Sequence, residues 1–327
     1  MTHAIVVEEP GGPEVLKWKT VDVPSPGPGQ LLVRHTAIGL NFIDTYFRTG
    51  LYPPPGGFPL IIGNEAAGVV EAVGDGVANF APGDRVAYAS PIGAYAETRV
   101  MPADTALKLP DSVSDEQAAA MMLQGMTVRY LVKETYKVTP DSVVLFHAAA
   151  GGVGLIAGQW LKSIGATVIG TVSSEEKAEL ARANGYTHVI NYKTEDFVAR
   201  VKEITDGKGV DVAYDSVGQD TYPGSLDCIK PLGLWVPFGQ SSGPIKNFAL
   251  GDLSSHGSLF TTRPTLFTYV RTRAMLEANA ADLFDLVGSG KVKINVGTTF
   301  PLKDAAEAHR ALEGRRTTGS TVLVPDR

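Results

Sequence analysis

A glycine-rich turn between an apolar run and a helical pattern constrains the fold of this chain most strongly. The run Val143–His147 is followed by the letters AAAGGVG at positions 148–154. The next residues place apolar side chains at the spacing of one helix face: Val153, Ile156, Ala157, Trp160, Leu161 and Ile164. A strand, a tight turn and an amphipathic helix in this order are typical of a unit that holds a dinucleotide pyrophosphate at a helix N-terminus. Gly151 and Gly154 have the spacing of the second and third glycines of that unit, and Ala149 stands in place of the first.

The region from Ser142 to about residue 262 repeats this alternation of strand and helix. Helical patterns lie between the first four of six short apolar runs: Val143–His147, Thr167–Val172, His188–Asn191, Val210–Tyr214, Leu234–Phe238 and Ser258–Thr261. Strands that alternate with helices pair in parallel through crossover connections. The sequence therefore predicts a doubly wound parallel sheet.

The end of the second predicted strand indicates which dinucleotide is bound. NAD-binding units carry an acid about 20 residues beyond the glycine turn, where it bonds the ribose 2′-hydroxyl. Here the strand ends at Val172 and Ser173, and Lys177 follows one helical turn later. Ser173 and Lys177 can both donate to a 2′-phosphate, which favours NADP(H). The alternative is a serine that only caps the next helix and a lysine that is only solvated.

The first part of the chain, to about residue 110, has strand patterns and no such alternation. Its predicted strands lie between proline and glycine turns: Ala4–Val7, Gln30–Thr36, Ala66–Val73, Asp84–Tyr88 and Tyr95–Val100. This pattern predicts an antiparallel, barrel-like lobe. The segment from Asn41 to Gly63 is rich in Tyr, Pro and Gly, and we expect it to form a long loop without regular structure.

A helix should follow this lobe, because Ser114 and Gln117 have the spacing of a capping box and good helix formers run from Ala118 to Val132. The last part, Phe267–Arg327, predicts two helical patterns and then three further elements. These are a strand near Val292–Val296, a helix over Lys303–Gly314 and a strand over Thr321–Val324. We expect this part to rejoin the barrel-like lobe.

Composition excludes several classes of partner. The chain has 327 residues, a formal net charge of −6 and one cysteine. The length favours two domains, and an acidic balance without a basic run argues against a nucleic-acid or membrane-surface partner. Cys228 cannot form an internal disulfide, and the first residues lack the segments of a signal peptide. We therefore expect a cytoplasmic protein with a small-molecule ligand.

Five motifs carry a resemblance to a known family. They are GGPEVL at 11–16, NFIDTY at 41–46, GLYPPP at 50–55, FHAAAGGVGL at 146–155 and YDSVG at 214–218. In these motifs the chain resembles the zinc-free quinone oxidoreductases of the zeta-crystallin type, within the medium-chain dehydrogenase/reductase superfamily. The resemblance covers nearly the whole chain. It implies an α/β protein with a GroES-like β-barrel catalytic domain, 1–124 with 265–327, and a Rossmann domain with a doubly wound parallel sheet, 125–264.

The same resemblance implies NADPH as coenzyme and a homodimer joined through the edge strands of two Rossmann sheets. Carried over by motif, the coenzyme contacts fall, besides Gly151, on Asn41, Thr127, Tyr130, Gly152, Val153, Ser173, Lys177, Tyr192, Val217, Phe238, Ser241 and Arg315. The nicotinamide is then expected in a cleft between the two lobes, near Asn41 and Thr127.

The sequence does not offer a set of zinc ligands. Zinc-dependent relatives use Gly-His-Glu where this chain has Gly63, Asn64 and Glu65, and they add cysteine ligands that a single Cys228 cannot replace. We therefore expect no metal. The candidate catalytic residues are Asn41, Tyr46 and Tyr52, which can donate hydrogen bonds to an acceptor or a water, with the tyrosines as possible proton donors. The alternative role for the tyrosines is packing in an aromatic loop.

A site without a metal suits an acceptor that is already electron-poor, because NADPH supplies the hydride and the protein only orients it. The sequence thus favours a quinone reductase. The alternatives are a reductase of activated enones or alkenals and, from another class, a non-catalytic RNA-binding or structural relative.

Overall fold

The computed structural model describes residues 1–326. Within them the strands are β1 Thr2–Val7, β2 Lys17–Val21, β3 Gln30–Leu40, β4 Leu60–Ile61, β5 Glu65–Val73, β6 Arg85–Tyr88, β7 Thr98–Pro102, β8 Leu107–Lys108, β9 Val143–Phe146, β10 Thr167–Val172, β11 His188–Asn191, β12 Val210–Asp215, β13 Ile229–Pro237, β14 Phe260–Thr261, β15 Val296–Pro301 and β16 Ser320–Val324. The α-helices are α1 Phe42–Arg48, α2 Asp115–Ala119, α3 Met122–Tyr130, α4 Gly152–Ile164, α5 Glu175–Ala183, α6 Phe197–Ile204, α7 Tyr222–Asp227, α8 Leu250–Ser255, α9 Leu266–Tyr269, α10 Arg273–Gly288 and α11 Ala305–Glu313.

The chain divides into two compact units. The first, called the β-rich unit, consists of Met1–Met126, Val270–Gly288 and the residues from Ile294 onward. The second, called the parallel-sheet unit, consists of Thr127–Tyr269 and Ser289–Lys293. The limits 125 and 264 of a coenzyme-binding domain stay a prediction. None of the helices described in residues 1–326 is long and apolar enough to cross a membrane.

The long strand β3 organises the β-rich unit. One of its edges pairs along nearly its whole length with β5, while the other pairs first with β7, through Gln30–Arg34, and then with β16, through Ile38–Leu40. Two register shifts in the β3–β5 pairing allow the strand to bend between these partners. The resulting seven-stranded path, with a separate three-stranded sheet of β2, β1 and β4, confirms the predicted barrel-like lobe.

The prediction that residues 41–63 lack regular structure is wrong. Asn41 precedes the helix α1, and its backbone amide donates to the carboxylate of Asp44, at 2.9 Å. An acid at this position satisfies an amide that a helix start leaves without a partner. The segment also contains β4, which pairs with Val6 and Val7 of β1.

The predicted helix over Ala118–Val132 is interrupted. The capping box of Ser114 and Gln117 is present, but it begins the short helix α2, and a second helix, α3, starts at Met122. At the interruption, the amide of Leu123 donates to the buried carboxyl of Glu65, at 2.8 Å, and the hydroxyl of Ser320 donates to the carbonyl of Ala120, at 2.9 Å. These two side chains satisfy backbone groups that a break in a buried helix exposes.

Two predicted strands are displaced. The strand expected at Tyr95–Val100 is observed at Thr98–Pro102, because the carbonyl of Tyr95 instead accepts the amide of Ile5 on β1. The strand expected near Val292–Val296 is observed as Val296–Pro301, where it pairs in parallel with β16. That pairing, and not local apolar content, sets where the strand begins.

The parallel-sheet unit contains six strands in the order β11-β10-β9-β12-β13-β14, all parallel. This order confirms the predicted Rossmann topology, in which the chain forms β9, β10 and β11 towards one edge and then returns to place β12 on the other side of β9. Leu145, Ile169 and Ala213 lie in its buried core. The helix α4 ends at Gly165, whose φ of 97° is the left-handed conformation that favours glycine at a helix end.

Candidate functional site

In the parallel-sheet unit, the glycine turn places a helix N-terminus at the point where the strand order reverses. The turn closes with a hydrogen bond from the amide of Gly151 to the carbonyl of Ala148, at 3.0 Å, and α4 starts at Gly152. No side chain of the described residues caps this end of α4. The first amides of the helix are therefore directed to the carboxyl edge of the sheet, where an anion can accept them.

The two glycines of the turn have different requirements. A Cβ atom on Gly154 would lie 2.4 Å from the carbonyl oxygen of Ala148, so this position brings the helix close to the turn. The carbonyl of Gly154 also accepts the hydroxyl of Tyr186, at 2.8 Å. At Gly151 the φ is −79° and a Cβ would meet only the oxygen of Ala148, at 3.3 Å. A side chain at Gly151 would therefore make one tight contact with the backbone of the turn, a milder conflict than the one at Gly154.

The other predicted contacts of this unit lie mostly beyond the carboxyl ends of its parallel strands. They follow β9 (Gly151, Gly152, Val153), β10 (Ser173, Lys177), β11 (Tyr192), β12 (Val217) and β13 (Phe238, Ser241). Ligands of open parallel sheets bind at this edge. The sheet topology thus brings residues from five strand ends to one edge of the unit.

The strand β10 ends without an acidic side chain at position 173, and Ser173 is not the residue that caps the following helix, α5. Ser174 is the residue that caps α5, since its hydroxyl accepts the amide of Lys177 at 3.3 Å. The nearest acid, Glu175, forms an ion pair with Arg182 at 2.6 Å. The hydroxyl of Ser173 is therefore not used as the helix cap.

A set of buried, hydrogen-bonded polar side chains, which the sequence analysis missed, fixes the conformation of the loop after β12. The carboxylate of Asp215 accepts the amides of Val217 and Gly218, at 2.9 and 3.1 Å, and the hydroxyl of Ser225, at 3.0 Å. The ring of His147 contacts Ser225, at 3.0 Å. Because Asp215 is buried and holds two consecutive amides, it sets the backbone conformation at Val217. An Asp followed by Ser, Val and Gly is an Asx-turn pattern that would have predicted this.

Thr127 and Tyr130 lie on the helix α3. The ring of Tyr130 stacks on that of Tyr269, with centroids 4.3 Å apart and planes 7° from parallel. Burial, with the neighbouring Tyr269 phenol, raises the pKa of Tyr130 well above its usual value. Tyr130 is therefore an uncharged packing surface.

In the β-rich unit, Asn41 is held by both ends of its side-chain amide. Its Nδ2 donates to Glu65, at 2.7 Å, and its Oδ1 accepts from the Nε2 of Gln124, at 3.0 Å. All three side chains are buried. Asn41 can thus offer only the second N–H of its amide and one lone pair to another molecule.

A second buried chain of hydrogen bonds has a defined direction. The guanidinium of Arg48 donates only, so His309 accepts at Nδ1, at 2.9 Å, and carries its proton on Nε2. That proton is shared with the oxygen of Tyr95, at 3.1 Å, and the Tyr95 hydroxyl donates to Asp44, at 3.1 Å. Burial lowers the pKa of His309 to about 3, which agrees with a neutral ring. Burial raises the pKa of Asp44 to about 7, although its partners all donate to it.

The two tyrosines predicted to be catalytic, Tyr46 and Tyr52, are close in sequence to Arg48, a member of this chain of hydrogen bonds. Tyr46 is buried on α1 and meets Tyr52 edge to face, with centroids 5.2 Å apart. The backbone amide of Tyr52 donates to the carbonyl of Tyr46, at 3.0 Å. Arg315, at the end of α11, has a φ of 57°, a conformation rare for residues other than glycine.

The segment that holds zinc ligands in the zinc-dependent relatives has another role here. The amide of Asn64 donates to Asp44, at 3.2 Å. The single thiol, Cys228, is buried in the core of the parallel-sheet unit, and burial raises its pKa to about 12. Among residues 1–326 there is no group of three or more His, Cys, Asp or Glu side chains that could hold a metal ion.

The buried carboxyl of Glu65 predicts how stability depends on pH. Burial, with a smaller contribution from the charge of Asp44, raises the pKa of Glu65 to about 8. The folded state therefore keeps this proton where the unfolded chain has lost it, and stability is lost as the pH rises towards 8. At about 1.36 kcal/mol per pH unit and proton, the loss between pH 6 and 8 attributable to Glu65 is about 1–3 kcal/mol.

We expect Glu65→Gln to reduce this loss. The measurement is the free energy of unfolding by urea at pH 6 and pH 8. Glu71→Gln, on the exposed face of the same strand, is the control and should leave the difference unchanged. A Glu65→Gln protein that loses as much stability as the wild type between these pH values would contradict the prediction.

Two family models match the chain. One is described as the alcohol dehydrogenase GroES-like domain and matches residues 27–111; the other is described as a zinc-binding dehydrogenase and matches residues 152–284.

Individual relatives match over nearly the full length. The chain is 53% identical to a quinone oxidoreductase of Pseudomonas aeruginosa over 316 residues, 96% of this chain and 97% of that one. It is 49% identical to a 2-haloacrylate reductase of a Burkholderia species, over 99% of both chains. The crystal structure of Escherichia coli quinone oxidoreductase complexed with NADPH has 50% sequence identity and a TM-score of 0.97, over 99% of this chain and 100% of that one. The chain therefore belongs to the quinone oxidoreductase family of the medium-chain dehydrogenases/reductases.

Proposed function

We propose that this protein reduces quinones with electrons from NADPH and without a metal ion. The observation that carries the proposal is the N-terminus of α4, which no side chain of the described residues caps and which follows a glycine turn at the reversal point of the parallel sheet. Full-length relatives at about half identity are quinone oxidoreductases, and one is a complex with NADPH.

The residues at the carboxyl edge fit NADPH. The pyrophosphate would accept the amides of Gly152 and Val153, since those amides have no capping side chain. The 2′-phosphate would lie at Ser173 and Lys177, where the strand end offers no acid. Tyr192, Val217, Phe238 and Ser241 would contact the rest of the coenzyme at the following strand ends, and Thr127 and Tyr130 would contact it from α3. Arg315 is proposed as a further coenzyme contact from the sequence motif alone.

The protein has two tasks in this reaction. When bound, the coenzyme supplies a hydride equivalent to the electron acceptor. Asn41, Tyr46 and Tyr52 would orient the acceptor and donate hydrogen bonds to the oxygen on which negative charge develops. A quinone is already electron-poor, so neutral donors of this kind are sufficient and the Asn64 segment does not need a Lewis acid.

Turnover measurements with NADPH test this function. Quinones should be reduced faster than simple ketones and primary alcohols by orders of magnitude. A metal chelator should leave the rate unchanged. Activity lost to the chelator and restored by zinc, or quinone turnover no faster than ketone turnover, would refute the proposal.

A second candidate is a reductase of activated alkenes. The 2-haloacrylate reductase of a Burkholderia species, 49% identical over 99% of the chain, favours it. The same panel should therefore include enones and 2-haloacrylates. Good turnover of these compounds with little turnover of quinones would select this function instead.

Coenzyme preference provides a separate test. Lys177→Ala should weaken NADPH binding about tenfold to a hundredfold, the usual value of a charge-assisted hydrogen bond, because one cation near the 2′-phosphate is lost. NADH lacks that phosphate, so its affinity should stay nearly the same. Fluorescence titration with both coenzymes measures this, and Lys162→Ala, at the opposite end of α4, is the control. Equal losses for NADPH and NADH would assign Lys177 a structural role.

We also propose that the protein is a cytoplasmic homodimer joined through the edge of the parallel sheet. The strand β14 pairs only with β13 in the described chain, and apolar side chains near this edge are exposed: Leu232, Leu250 and Phe260. An exposed apolar edge strand is a surface for pairing with a second chain. Phe260→Asp should convert the dimer to a monomer in sedimentation velocity, with an unchanged circular dichroism spectrum. A wild-type protein that sediments as a monomer would exclude this assembly.

A further inference from the structure

Four buried polar side chains of the β-rich unit form one continuous chain of hydrogen bonds. Glu65 Oε2 lies 2.7 Å from Asn41 Nδ2, and Asn41 Oδ1 lies 3.0 Å from Gln124 Nε2. The Oε1 of Gln124 in turn lies 2.7 Å from the hydroxyl of Ser320. Each of these four side chains is buried, so its hydrogen-bonding groups must find partners inside the protein and not in solvent.

The two ends of this chain differ in what they can accept or donate. At the first end, Oε1 of Glu65 accepts the amide of Leu123, so only Oε2 faces Asn41. At the other end, the hydroxyl of Ser320 is within hydrogen-bonding distance of two acceptors, the side-chain oxygen of Gln124 at 2.7 Å and the carbonyl of Ala120 at 2.9 Å. A hydroxyl has one hydrogen and can donate to only one of them at a time.

The heavy-atom positions therefore fit two directions of the chain. With Glu65 ionised, Asn41 donates to Glu65, Gln124 donates to Asn41, and Ser320 donates to Gln124. With Glu65 protonated, every bond reverses: Glu65 donates to Asn41, Asn41 to Gln124, and Gln124 to Ser320. Ser320 then donates to the carbonyl of Ala120. The reversal requires only that two amides exchange oxygen and nitrogen, which have nearly the same size.

We propose that Glu65 is a positioning residue for Asn41, because the proton on Glu65 decides which way the Asn41 amide is turned and on which side its second N–H is offered to the electron acceptor. This inference rests on the proposed function, in which Asn41 donates to the acceptor. The protonated direction is the active one. Hydride transfer places negative charge on the acceptor oxygen. An ionised Glu65, which is separated from that oxygen only by the side chain of Asn41, would repel this charge, whereas a neutral carboxylic acid would not.

The surroundings of Glu65 favour its proton at neutral pH. Its titratable neighbours are Asp44 on α1 and Tyr95 on the segment before β7, and neither supplies a positive charge. The strand β3 presents Gly39, whose Cβ would lie 2.4 Å from Glu65, and α3 presents the amide of Leu123. Burial raises the pKa of Glu65 to about 8, so the chain reverses in a range of pH where the enzyme can be assayed.

The experiment is the pH profile of kcat/KM for a quinone without ionisable substituents, at saturating NADPH, from pH 6 to pH 10. In the wild type, kcat/KM should fall about tenfold per pH unit above an inflection near pH 8, as for loss of one essential proton. Glu65→Gln should remove the fall. The Gln oxygen must accept the amide of Leu123, so its nitrogen can only donate to Asn41, which fixes the active direction at every pH.

Two control variants separate this role from other causes. Ser320→Ala removes a hydroxyl from the chain but no titrating group, and the fall should remain. Asp44→Asn removes a neighbouring negative charge, so the inflection should move to lower pH and the fall should remain. A fall that persists in Glu65→Gln, or disappears in Asp44→Asn, would overturn the proposal.

Infrared spectroscopy of the protein without coenzyme gives a readout that does not depend on activity. The carbonyl band of a protonated carboxyl should be present at pH 6 in Asp44→Asn, disappear at the lowered inflection of that variant, and be absent from the double variant Asp44→Asn/Glu65→Gln, in which neither carboxyl remains. If Glu65→Gln does not fold, absence of this band from Asp44→Asn is sufficient to overturn the proposal. Quinone turnover with a flat wild-type profile refutes this inference alone, whereas absence of quinone turnover refutes the proposed function.

Discussion

The buried carboxyl of Glu65 connects the parts of the β-rich unit that matter for function. It accepts the amide of Leu123 at the start of α3 and is hydrogen-bonded to the side chain of Asn41 at the start of α1. Both helix starts are thereby fixed to β5, the strand on which Glu65 lies. Because Tyr46 lies on α1 and Tyr52 packs against it, the aromatic residues proposed to orient an acceptor also depend on this carboxyl. An unpaired carboxyl at this depth would be costly, so its partners cannot be removed singly without loss.

Local patterns of sequence were sufficient for the parallel-sheet unit. The strands at Thr167–Val172 and His188–Asn191 have the predicted limits, because each is a short apolar run bounded by turn residues. The order of the sheet follows from the alternation of strand and helix, and it places the turn at Gly151 at the reversal point. Where each step of the chain is local, periodicity and turn chemistry contain enough information to predict the fold.

The β-rich unit shows where such patterns fail. The interruption between α2 and α3 has no local cause, since good helix formers continue through it. Its causes are Glu65, 58 residues before Leu123, and Ser320, 200 residues after Ala120. The helix α1 was missed for the opposite reason: a real local signal, the acid three residues after Asn41, was outweighed by the prolines and glycines that follow it.

The same distinction applies to the candidate site. A sequence shows that Asn64 stands where zinc-dependent relatives have a histidine, but it does not show what Asn64 does. In the structure its amide donates to Asp44, which is also the acceptor for Tyr95 and for the backbone of Asn41. The segment thus contributes a hydrogen-bond donor to a buried acid where a metal ligand would otherwise lie. A site built from neutral donors stabilises developing charge less strongly than a metal ion does, so its substrate must accept a hydride readily by itself, and quinones and activated alkenes share that property.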